Sequence, residues 1–123
     1  MNLEETHQFL IDLLKAHQPY LKINIEKPNQ FEVKGTKEAM QGKQKVDGFY
    51  FATVVPKPKD IRLYFFPIYT HSVHFESQLS NALRKYLKGK SCFHIKPLNP
   101  DIASEVKNMI QLGVDLYKSE GLI

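Results

Sequence analysis

Cys92 is the only cysteine, so no internal disulfide can form, which fits a reducing compartment. No apolar run approaches the roughly 18 residues that a membrane-spanning helix needs. The first residues lack a secretion-signal pattern, and a cytoplasmic protein with no membrane partner is expected. Internal repeats and low-complexity segments are absent. Catalytic signatures are equally scarce: there is no serine nucleophile elbow, no HExxH, no Rossmann glycine pattern and no paired CxxC. Carboxylates are scattered singly, so no acid–base pair is marked. A binding protein without catalytic residues is the expectation.

What is present is an ordinary globular composition, 42% hydrophobic and 24% charged over 123 residues, enough for one domain with a sizeable core. Seventeen basic against thirteen acidic residues leave a net charge of +4. The excess sits mostly on turns, including Lys57 and Lys59 and the run Arg84, Lys85, Lys88, Lys90. Solvated loops account for that pattern and nucleic acid is not the expected partner, with a nucleic-acid or protein interaction module using these lysine-rich loops as the alternative.

Asn2, with Glu5 three residues on, forms a capping-box pattern that opens a helix. Leu3, His7, Leu10, Leu13, Leu14 and His17 then recur at helical spacing up to Pro19. From Leu21 the period switches to two, and Leu21–Ile25 and Phe31–Val33 flank a Pro28-Asn29 turn as a hairpin. Gly35 to Asp47 reads as a polar loop with one helical turn at Thr36–Met40.

Two aromatic strands follow, Gly48–Val55 and Ile61–Ile68, separated by a proline-rich turn. Simple alternation puts Phe49, Phe51, Ile61, Leu63 and Phe65 toward helices. It leaves Tyr50, Ala52, Val54, Arg62, Tyr64 and Phe66 on the other face. That second face is too apolar for a fully solvated surface. It calls for cover by the chain's own segments or by a second copy in a homodimer, or else for a ligand pocket.

The spacing of Leu79, Leu83, Tyr86 and Leu87 predicts a middle helix stopped by Gly89. Gly89-Lys90-Ser91 is no phosphate loop, because Arg84 stands where the first glycine belongs and a helix leads into a strand. The strand Ser91–Lys96 places Phe93 and Ile95 on one face and Cys92 and His94 on the other. Asn99-Pro100 opens the last helix, with Ile102, Val106, Met109, Ile110, Val114 and Tyr117 as its buried stripe.

The fold class expected is therefore α+β: a two-layer domain with about five antiparallel strands and N-terminal, middle and C-terminal helices packed on the sheet. Tyr50, Arg62, Tyr64, Phe66, Cys92 and His94 are the candidate ligand-binding residues. His71 and His74, with Glu76 two residues later, have the donor chemistry of a metal site.

The strings Phe49–Val54, Leu63–Tyr69 and Leu83–Lys96, together with the closing helix, resemble the YdhG-like family of small bacterial cytoplasmic domains. The likeness runs over roughly residues 31–122, and GKSCFHIK is its most specific part. The resemblance implies an antiparallel sheet with helices packed against it. Some members are described as frataxin-like intracellular iron chaperones, which implies iron bound through surface carboxylates. Here that implication falls on Glu4, Glu5 and Asp12 of the first helix.

Overall fold

A computed structural model describes residues Met1–Ile123. The first helix, α1 (Leu3–Lys15), begins as its capping box requires: Asn2 accepts from the Glu5 N–H and Glu5 accepts from the Asn2 N–H. Strands β1 (Lys22–Lys27) and β2 (Gln30–Lys34) form the expected hairpin. The segment read as a loop contains a second small hairpin, β3 (Ala39–Gln41) and β4 (Gln44–Val46), and no helical turn. Two hydrogen bonds tie it to the main body: Lys34 Nζ to Asp47 at 2.6 Å and the Tyr50 N–H to Gln41 Oε1 at 3.0 Å.

β5 (Tyr50–Pro56) and β6 (Ile61–Phe65) are the long central pair. The second aromatic strand ends earlier than expected, because Pro67 starts the short helix α2 (Pro67–Thr70). The middle helix shrinks to α3 (Asn81–Arg84), capped by Ser80. Leu87–Lys88 instead forms β7, which pairs with β8 (Cys92–Ile95). Gly89, at φ 69°, therefore sits in a tight hairpin turn and does not stop a helix. The last element is α4 (Pro100–Ser119), capped by Asn99 through the Ile102 N–H at 2.9 Å.

The main sheet has six strands in the order β1-β2-β5-β6-β8-β7, every neighbouring pair antiparallel. The fold is α+β; its main sheet has one strand more than expected, because Leu87–Lys88 pairs as β7 where spacing predicts helix, and the β3–β4 hairpin adds two further strands. Both long helices lie on one face of this sheet. Between them and the sheet lies the core, with Leu10 and Leu14 from α1, Phe65 and Phe93 from the strands, and Val106, Ile110 and Val114 from α4. α4 approaches the sheet closely at Gly113, where an added Cβ would lie 2.8 Å from the Phe65 ring and 3.2 Å from that of Phe51. Thr6 is fully buried because its hydroxyl accepts the Leu98 N–H at 3.1 Å. No helix is long and apolar enough to cross a membrane.

Candidate functional site

The face of the sheet away from the helices is built from strand register. On β6, Arg62 stands opposite His94 of β8, and Tyr64 stands opposite Cys92. Across the other edge of β6, Thr53 pairs with Tyr64 and Val55 with Arg62. Alternation predicts Ala52 and Val54 for this face, and there the structure corrects it. They pair with Phe65 and Leu63 on the helical side and are fully buried. The cause is an irregularity between β2 and β5: Val33 pairs with Ala52, but Lys34 pairs with Tyr50. The extra residue, Phe51, joins the core together with Ala52, and every later residue of β5 changes side.

Four candidates thus meet on one open surface: Arg62, Tyr64, Cys92 and His94. Tyr64 is 36% exposed at its centre. Arg62 Nε donates to Asp60 Oδ1 at 2.7 Å, and this hydrogen bond strengthens the guanidinium's hold on its proton. Burial pushes the Cys92 thiol up, with the Tyr64 hydroxyl and the Arg62 charge working against it. Such a thiol stays protonated at neutral pH and is a poor nucleophile.

Tyr50 and Phe66 stand to one side of this group. Their rings lie 5.3 Å apart, and Phe66 continues to Phe49 at 5.7 Å and Tyr69 at 5.9 Å. The Tyr50 hydroxyl bonds Thr53, whose own hydroxyl donates to Glu32 Oε1 at 3.1 Å. Since Thr53 gives its single proton to Glu32, Tyr50 is the donor in the first bond. Asn24 completes the row by donating to Glu32 Oε2 at 2.7 Å. Burial pushes the Tyr50 phenol up to about 12, so it remains a fixed donor.

The metal candidates do not come together. His71 Nε2 meets Glu120, not Glu76, and its Nδ1 lies 2.7 Å from the Thr70 hydroxyl. The His74 ring is 6.4 Å from that of His71. At Glu76 it is the backbone carbonyl that is engaged, by Arg84. Glu5 is occupied by the capping box, and Asp12 accepts from Gln8 at 2.8 Å. Glu4 stands exposed on the first turn of α1. No three His, Cys, Asp or Glu residues are grouped so as to hold a metal ion.

Sequence reading missed two partners. Asp60 closes the proline-rich turn, and its spacing of two from Arg62 at the strand entry is the available signal. Glu120 had none, being 49 residues from His71.

Both edges of the sheet are short or irregular. β7 has only two residues, and β1 carries an irregularity at Asn24 and lysines at each end. Comparison of the chain with protein-family models, with curated proteins and with solved structures gives no match.

Proposed function

We propose that the protein is a cytoplasmic, non-enzymatic binding protein of the YdhG-like kind, which holds a small planar molecule on the open sheet face. One observation carries this reading: both long helices pack on the same side of the sheet, which leaves Arg62, Tyr64, Cys92 and His94 uncovered. An exposed tyrosine on a rigid strand offers a ring to stack on, and the flanking cation and imidazole offer polar contacts. The hydrogen-bonded row Tyr50, Thr53, Glu32 holds the neighbouring surface stiff, so little ordering is needed on binding. The protonated Cys92 thiol suits packing better than catalysis.

An iron-donor role draws less support. Its carboxylates on α1 are separate and partly engaged, and His71 is paired away from Glu76.

Amide NMR spectra of the labelled protein, titrated with indole and with adenosine as planar probes, test the reading. Shifts should cluster at Thr53, Tyr64, Cys92 and His94. Shifts confined to the groove lined by Phe75, Leu79 and Arg84, or no shifts at all, would count against it.

A further inference from the structure

At one end of the open face, the β5–β6 turn and the exit of β8 border a shallow, open depression of 470 Å³. It is lined by Lys57, Pro58, Lys59, Asp60, Arg62 and Lys96. The pairing of Ile61 with Pro56 on one side and Ile95 on the other brings these segments together.

Four cations therefore surround a single carboxylate, and that carboxylate is already committed. Asp60 is 8% exposed and holds Arg62 by its Nε edge. This orients the guanidinium and leaves both Nη groups available as donors. Lys96 Nζ donates to the Lys59 carbonyl at 3.3 Å, which draws its ammonium over the turn. The turn itself is stiff: the Lys57 N–H bonds the Asp60 carbonyl at 2.9 Å, and Pro56 and Pro58 fix their own φ angles. Gathering like charges round one hollow is unfavourable until an anion offsets them.

Arg62 belongs both to this hollow and to the open face, and Tyr64 lies two strand residues further on. That places the tyrosine ring about 7 Å along the sheet from the cationic end.

We propose that this depression seats the phosphate of a soluble nucleotide-like ligand, whose planar ring lies along the sheet against Tyr64. The assignment rests on the open face being the binding surface, and it adds the ligand's charged group. Recognition of a dianionic phosphate by a guanidinium edge and two or three ammonium groups is ordinary charge-assisted hydrogen bonding.

The test uses amide NMR titrations of the intact chain with inorganic phosphate, adenosine and adenosine monophosphate at fixed ionic strength. Phosphate should shift the amides of Lys57, Lys59, Asp60, Arg62 and Lys96. Adenosine should shift Tyr64 and Cys92. The monophosphate should shift both groups and bind roughly tenfold more tightly than either fragment. Replacing the exposed pair, Lys59→Ala with Lys96→Ala, should weaken monophosphate binding by about tenfold and leave the adenosine response unchanged. Arg62→Gln should also weaken monophosphate binding, but Arg62 belongs to the open face as well and holds Asp60, so the lysine pair is the cleaner variant.

Turn amides that ignore both phosphate and the monophosphate, while adenosine still moves Tyr64, would overturn the phosphate seat and leave the open-face reading standing. Turn shifts with Tyr64 unmoved would uphold the seat and overturn that reading. Single-stranded decathymidylate binding more tightly than the monophosphate, with a steep loss in salt, would overturn the small-molecule assignment in favour of nucleic acid.

Discussion

The two faces of the sheet differ although they share every strand. On the helical face, Val54, Leu63, Phe65, Phe93 and Ile95 are buried to within a few per cent, and none carries a polar side-chain atom. On the open face, Thr53, Arg62, Tyr64, Cys92 and His94 carry hydroxyl, guanidinium, thiol and imidazole groups, most of them half-exposed. Neighbours along one strand thus answer to different demands. Phe65 meets Phe51 and Phe75 edge-on at 5.5 and 5.6 Å, while Tyr64, one residue earlier, points to solvent. In the proposed reading, stability resides on the first face and recognition on the second.

That division can be broken most severely at Phe65. Phe65→Ala removes a ring enclosed by Phe51, Phe75 and Gly113, and it should lower the unfolding free energy by about 3–5 kcal/mol in urea titration. A smaller loss is expected at Thr6. Thr6→Val keeps the shape but orphans the buried Leu98 N–H, so about 1–3 kcal/mol should be lost in the same assay. Least affected should be Tyr64→Ala, which leaves stability within about 0.5 kcal/mol because it removes a solvent-facing ring. A loss at Tyr64 comparable to that at Phe65 would erase the distinction between the faces.

Much of this arrangement was legible in the residues. The capping box at Asn2 and Glu5, the Asn99 cap and the stripe from Ile102 to Tyr117 stand where local chemistry puts them, because each depends on neighbours a few positions away. Parity in β5 was not legible. Gly48–Val55 is apolar on both sides, so its alternation hides the residue inserted opposite Val33 and Lys34, and that irregularity is set by pairing with β2. The stretch Leu79–Leu87 has helical spacing, yet Leu87 and the residue after it, Lys88, pair with Phe93 and Cys92. A glycine at positive φ serves a helix end and a hairpin turn equally well, so Gly89 did not decide between them.

For the candidate site, alternation placed Arg62 and Tyr64 together, and the strand pattern put Cys92 and His94 on a common face. Their meeting across β6 and β8 required the sheet order. The cationic hollow was seen only as dispersed lysines, since Lys57 and Lys96 are 39 residues apart and are joined by register alone.

The most direct test of the division between the faces is adenosine binding by Tyr64→Ala, measured by NMR titration alongside its unfolding free energy. Unchanged stability with the adenosine-induced shifts at Thr53, Cys92 and His94 abolished is the predicted result. Wild-type affinity in the variant, with the same shifts retained, would contradict the open sheet face as the binding surface.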